Sequence, residues 1–257
     1  MKYFVIYPDD NKDNLEKFKT NNQHLAPEID IIPVKAPVSN LNLRDELIKK
    51  NIITKDNEYD LITLAFTKAH ILLWQQAVET QSPITIFEAN TITHKDFLDH
   101  QKQSLSLKTK YDLMIWGYNL NWNPCLEIIP SLPKVIYTFI GYGTEELKTP
   151  NNDLIDVSLY KNSDLRAVQT LKMLSFSGMG CYSISVNGAK QLLQKAISIG
   201  NEAAPSYQEK PYGTNFYVFN PVAKRENTSF DVEVNRHIQS LNTYMTIPML
   251  AVIPTTP

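Results

Sequence analysis

The chain has 257 residues, a formal net charge of −2 and a pI near 6.2, with 43% hydrophobic and 20% charged residues. That length can bury a substantial core within one domain, and the charge balance excludes a general nucleic-acid binder, which needs a clear excess of Lys and Arg. No apolar run approaches the roughly 20 residues of a membrane-spanning helix, and the opening MKYFVIYPDD, a short apolar run that meets two aspartates, reads as a strand rather than a signal peptide.

Tyr3 to Tyr7 forms the first predicted strand, built from β-branched and aromatic residues. A helix follows from Asp13 to Asn22, a strand from Ile29 to Val34, and a short amphipathic helix from Leu43 to Lys50. Leu61 to Val78 carries Leu61, Leu64, Ala65, Lys68, Leu72 and Ala77 at mostly helical intervals. Ile84 to Phe87 is a buried strand, and Thr93 to Leu98 opens another helix with Thr91 or Thr93 as its cap. Tyr111 to Trp116 is strand-like up to Gly117, and Lys134 to Ile140 is a strand closed by the turn Gly141-Tyr142-Gly143. The polar segment 144–161 reads as a surface loop. Gly180 to Val186 is a strand, followed by the turn Asn187-Gly188 and a helix from Ala189 to Ile199. Asn201 to Thr214, with Pro205 and Pro211, reads as a second loop. Phe216 to Asn220 is a strand, Val232 to Leu241 a helix, and Met249 to Ile253 a final strand.

Strands alternating with helices predict an α/β fold with a mostly parallel central sheet. Without a repeat, a low-complexity tract or a proline-rich linker, a single domain is expected. The chain contains no GxGxxG, no Walker lysine loop and no GxSxG elbow. Cys125 and Cys181 fit no metal or redox spacing, which predicts a reduced, cytoplasmic setting. The most informative triplet is Glu88-Ala89-Asn90, just beyond a buried strand. An acidic or amide cluster at that position is where α/β enzymes place groups that meet a nucleotide or a metal.

Four separated blocks, in order, resemble glycosyltransferase family 25, the lipooligosaccharide and collagen-type galactosyltransferases. The first contains Ala69-His70, Leu73-Trp74 and IFEAN, similar to the family's Ser-His and Leu-Trp pairs and its strand ending in Glu-Asp-Asp. The others are YDLMIWGY (111–118), GMGCYSISVNGAKQLL (178–193) and FDVEVNRHIQSLNTYMTIPML (230–250). The resemblance runs from about Leu61 to the C-terminus. It implies a GT-A type, Rossmann-like architecture over residues 1–257, with a nucleotide-sugar half at 1–140 and an acceptor-side half at 141–257. It also implies inverting transfer of a hexose, commonly galactose, from a UDP-sugar to a lipooligosaccharide or other glycan or glycolipid acceptor. The setting it implies is cytoplasmic, in peripheral contact with the inner face of the inner membrane.

Inverting transfer needs positive charge at the departing diphosphate and a base for the acceptor hydroxyl. By the resemblance, Glu88 and Asn90 line the donor site and hold a divalent cation, Mn²⁺ or Mg²⁺, weakly. Ala89 contributes nothing, and His237 is a late metal-ligand candidate. His70 supports the triplet from beneath, and Trp74 is core. Asp231 is the candidate base, with a helix N-cap as its competing role. Gly180, within Gly178-Met179-Gly180, allows either close approach to a ligand or a tight strand entry. Tyr182 either stacks on sugar or packs inside, and Tyr142 is a loop-borne acceptor contact. Lys12 is the early cation that could reach the diphosphate, although Asp9 and Asp10 beside it would repel phosphate. Two alternatives stand beside this reading. One is a metal-independent transferase using Lys12 or Arg236. The other is a degenerate family member that binds nucleotide sugar or a partner without turnover.

Overall fold

The computed structural model describes residues 1–108, 110–118, 124–128, 135–136, 157–165, 167–212 and 216–253. The helices are α1 (Asp13–Asn21), α2 (Leu43–Lys49), α3 (Leu61–Glu79), α4 (Phe97–Leu107), α5 (Val157–Asn162), α6 (Val186–Ala196) and α7 (Phe230–His237). The first seven strands are β1 (Lys2–Pro8), β2 (Ile31–Ala36), β3 (Ile84–Glu88), β4 (Ile92–Thr93), β5 (Leu113–Gly117), β6 (Cys125–Glu127) and β7 (Val135–Ile136). They are followed by β8 (Gln169–Ser175), β9 (Cys181–Ile184), β10 (Ala204–Tyr212), β11 (Phe216–Arg225), β12 (Thr243–Ile247) and β13 (Ala251–Val252).

A nine-stranded sheet runs β2-β1-β3-β9-β5-β12-β8-β6-β7. β1 pairs in parallel with β2 and β3, and β5 with β12. β9 enters antiparallel between β3 and β5, and β8 and β7 also run against the main direction. The sheet is therefore mixed, although most of its strands point one way.

The apolar strands sort their side chains by the two-residue period of a pleated strand. Phe4 and Ile6 of β1, Ile84 and Ile86 of β3, and Leu113 and Ile115 of β5 join one core beneath α3 and α6. Val5 and Tyr7, Phe87, and Met114 and Trp116 join a second core with Phe18 and Phe97 from α1 and α4. Strands buried on both faces read as near-continuous apolar runs, which is why β1, β3 and β5 stand out in the sequence. Helix α3 is capped by Asp60, whose carboxylate accepts the Thr63 backbone N–H at 2.7 Å. Its buried residues, Leu64 through Ala77, span several faces because sheet, α2 and α6 all pack against it.

Several expectations need correction. Thr93 does not cap α4. It lies in β4, which pairs with β13, and its N–H and hydroxyl both donate to Asn22 Oδ1. Helix α4 therefore starts later, at Phe97. The expected turn at Asn187-Gly188 is the first turn of α6, capped by the Ser185 hydroxyl accepting Gly188 N–H at 3.0 Å. The predicted loop at 201–214 is largely β10, paired with β11 in a separate two-stranded ribbon. Prolines are tolerated in such a pair because each strand has an unpaired edge. Within the predicted loop at 144–161, residues 157–161 belong to α5, and the rest lies outside the described residues. Among the described residues, no helix is long and apolar enough to cross a membrane.

Candidate functional site

The carboxyl edge of β3 is where a ligand site is expected in an open α/β sheet. There a cleft of about 490 Å³ opens, with Glu88, Asn90, Asp231, Ser177, Gly178, Ser229 and Arg225 among its polar lining. Ile62, Phe66, Met179, Phe230 and Ile253 give it an apolar side, and His70 and Thr63 complete the wall.

Glu88 ends β3, and its backbone N–H donates to Gly180 O at 2.7 Å. The next residue turns into the structure. Ala89 is buried in the second core, and its N–H donates to Ile6 O at 2.9 Å. Asn90 returns to the cleft and is exposed. The middle position of the triplet thus serves packing, and its missing carboxylate takes nothing from the cleft wall.

Behind Glu88 lies a buried polar chain. Trp74 Nε1 donates to the Tyr182 hydroxyl at 2.9 Å, that hydroxyl meets His70 Nδ1 at 2.9 Å, and His70 Nε2 meets Glu88 Oε1 at 3.3 Å. His70 and Tyr182 are buried, and the Phe230 ring stacks on the imidazole at 5.5 Å between centroids. Burial pushes the Tyr182 phenol well up, keeping its proton in place.

Asp231 is the second residue of α7, whose N-cap is Ser229, so the aspartate is not the cap. Its side chain reaches across to the segment before β9. Oδ2 accepts from Ser177 Oγ at 3.0 Å and from Gly178 N at 2.9 Å, while Oδ1 accepts from Ser229 Oγ. Gly178 has φ 84°, a backbone conformation that glycine adopts without strain. One helical turn on, Asn235 grips the same segment, accepting Phe176 N–H at 2.9 Å and donating to Phe176 O at 2.6 Å. A carboxylate offers about four lone-pair sites. Ser177, Gly178 and Ser229 engage three of them, and the carboxylate faces the cleft.

The structure thus gathers His70, Glu88, Asn90 and Asp231 along one cleft and leaves other expected site residues elsewhere. Tyr182 is fully buried and bonded to His70, so it packs inside rather than stacking on a sugar. Gly180 serves a tight fit, since a Cβ there would lie 2.3 Å from Ile253 Cδ1. Lys12 is an exposed residue at the N-terminus of α1 and is not among the cleft-lining residues. Its neighbour Asp9 is occupied by Ser39, accepting its hydroxyl at 2.7 Å and its backbone N–H at 3.0 Å. The Ser39 hydroxyl holds the Asp9 carboxyl below the usual range. Arg236 and His237 lie three and four positions after the buried Glu233 on α7, the spacing that makes helical neighbours. Both bond it, His237 at 3.0 Å and Arg236 at 2.9 Å, and Arg236 also pairs with Glu202. A buried carboxylate needs such partners. Neither residue lines the cleft. Tyr142 lies outside the described residues.

Sequence reasoning missed Arg225, Ser177, Ser229 and Asn235. Arg225 ends the ribbon strand β11 and brings a cation to the cleft. Only the Asp231–Asn235 pair left a sequence signal, two hydrogen-bonding side chains four residues apart at a helix start.

As a cation site the cleft offers little of its own. Among the described residues, no three His, Cys, Asp or Glu side chains converge. Glu88 has one oxygen on His70, and Asn90 adds a neutral amide oxygen. Such a pair suits a hard cation that arrives with a diphosphate and keeps most of its waters, a usual mode for Mg²⁺.

Among protein families, the sequence model of glycosyltransferase family 25 (LPS biosynthesis protein) matches residues 63–205. No curated protein matches the chain.

Proposed function

The chain belongs to glycosyltransferase family 25, whose model covers more than half of it, and from that premise we propose an inverting hexosyltransferase that uses a UDP-sugar donor. The hexose is galactose by family resemblance. The acceptor is a lipooligosaccharide or related glycan, met at the inner face of the inner membrane. The single observation that carries the reading is the sharing of one cleft by Glu88, Asn90, Arg225 and Asp231.

On this reading Glu88 and Asn90 form the donor side. The Asn90 amide and the second Glu88 oxygen bind the nucleotide's sugar hydroxyls, or a cation carried in with its diphosphate. When bound, that cation neutralises charge on the leaving group. Arg225 supplies positive charge from the chain itself. Asp231 takes the proton of the acceptor hydroxyl on its carboxylate. The hydroxyl oxygen forms its bond to the anomeric carbon from the face opposite the diphosphate. The anomeric C–O bond breaks with its electron pair leaving on UDP. The apolar wall of Ile62, Phe66, Met179 and Ile253 receives the less polar face of a sugar or its carrier.

A second reading, a family member that binds without turnover, is favoured by one observation: three donors already engage Asp231. A scan of UDP-sugars with Mn²⁺, Mg²⁺ and EDTA, reading transfer and donor hydrolysis, separates the two. Transfer with at least one donor is the expected result. No turnover together with a thermal shift by UDP supports the binding-only reading. The absence of both overturns the proposal.

A further inference from the structure

The polar chain behind Glu88 has only one consistent assignment of protons. An indole N–H can only donate, so the Tyr182 oxygen accepts from Trp74 at 2.9 Å. The Tyr182 phenol keeps its own proton, and among the described residues the one other partner in reach is His70 Nδ1 at 2.9 Å. A buried O–H left without an acceptor would cost about 1–3 kcal/mol, so it donates to Nδ1. His70 therefore carries its proton on Nε2, which faces Glu88 Oε1 at 3.3 Å. The other neutral tautomer would set a bare nitrogen lone pair against a carboxylate.

We propose that Tyr182, backed by Trp74, is a positioning residue for the donor site: it fixes the tautomer of His70 and through it turns one oxygen of Glu88 toward the cleft. Neither residue touches the ligand. Tyr182, Trp74 and His70 are each at most 1% exposed, so water does not compete for the two bonds at the Tyr182 hydroxyl. Phe230 covers the imidazole face and opposes ring reorientation. The 3.3 Å link is the longest of the three, so the carboxylate is steered without being fully saturated. Oε2 has no hydrogen bond among the described residues and is the oxygen left for a ligand. A one-directional relay of this kind sets geometry before the ligand arrives, as preorganised sites require. It also ties β9, which carries Tyr182, to the carboxyl end of β3.

The inference rests on the proposed donor role of Glu88 for its functional consequence, but not for its structural one. The first measurement is the pair of imidazole ¹⁵N shifts of His70 in the ligand-free protein, assigned by their loss in His70→Gln. A protonated Nε2 and an unprotonated Nδ1 are expected; the reverse tautomer overturns the proposal. The second is Tyr182→Phe, which removes one hydroxyl and keeps the ring. His70 should lose its single tautomer, and UDP affinity measured by titration calorimetry should fall about tenfold, the scale of one hydrogen bond to a charged group. Unchanged ¹⁵N shifts together with unchanged affinity would also overturn it. The wild-type spectrum needs no variant, so it remains decisive even if Tyr182→Phe does not fold. UDP failing to bind the wild type would count against the transferase reading, while the tautomer measurement would still judge the relay.

Discussion

Asp231 Oδ2 accepts the backbone N–H of Gly178 at 2.9 Å, which fastens the start of α7 to the segment that enters β9. The same carboxylate is the proposed base, so it serves position and chemistry together. In Asp231→Asn one oxygen becomes an NH₂ that faces donors. That change should cost about 1–3 kcal/mol of stability. Transfer, assayed well below the melting temperature, should fall by on the order of a hundredfold or more if Asp231 is the base. A transfer loss no larger than that of Ser177→Ala, which removes a single donor, would reduce Asp231 to an anchor.

Arg225 and a diphosphate-borne cation are two sources of positive charge for one leaving group. Arg225→Ala should raise the donor Kd or lower kcat by roughly 10-fold to 100-fold, as expected for loss of a charge-assisted hydrogen bond. EDTA should cost the wild type less than that, because Glu88 and Asn90 supply a single charge between them. Steady-state kinetics with and without EDTA on both proteins checks the order. A larger loss from EDTA would make the metal the main source.

Gly188 inverts an ordinary rule. Alanine normally stabilises a helix relative to glycine, by roughly 0.5–1 kcal/mol. At position 188 in α6, however, a Cβ would sit 2.1 Å from Asp112 O and 2.7 Å from its carbonyl carbon. Backbone cannot retreat as a side-chain tip can. Gly188→Ala should therefore destabilise by about 1–3 kcal/mol or more, and thermal unfolding should fall by roughly 2–4 °C per kcal/mol for a domain of this size. An unchanged or raised Tm would contradict this packing.

The buried His94 sets an acid limit on stability. Its Nε2–H donates to Ser163 O at 2.9 Å, and its Nδ1 accepts Asp96 N–H at 3.1 Å, so the neutral ring is satisfied on both sides. Burial lowers its pKa, against the opposing pull of the Ser163 carbonyl and the Asp96 carboxylate 3.6 Å away. The unfolded chain then binds the proton more readily than the folded one. Stability contributed here is complete above the unfolded value of about 6.5 and drains away as pH falls below it. Urea unfolding from pH 7.5 to 5 should show a decline in the wild type and a shallower one in His94→Gln. Parallel declines would assign the loss to other groups, with the half-buried His24, also lowered mainly by burial, the next to test.

The strands that crossed the sheet between two cores were legible because their apolar runs are unbroken, and α3 because its length allows no strand. β12 and β8 were not legible. Thr243 and Thr246 of β12 are buried polar residues, and β8 is exposed or half-buried through Lys172, so neither makes a clean run. The prolines of β10 imitated a loop because a sequence does not reveal which strands keep a free edge. Glu88 and Asn90 could be found because they follow a buried strand directly. Arg225 could not, since only the packing of a separate ribbon carries it to the cleft. His237 and Arg236 misled because a charged pair on a short helix looks equally suited to a ligand or to a buried Glu233.

The place of β9 bears on how the molecule is made. A chain emerging from the ribosome releases β3 and β5 long before residues 181–184 exist, and in the folded sheet the facing edges of the two are both filled by β9. Those edges lack β9 until some 65 further residues have emerged, a few seconds to over ten at typical synthesis rates. Early chain release would leave those edges exposed, with His70 still lacking the tyrosine that orients it.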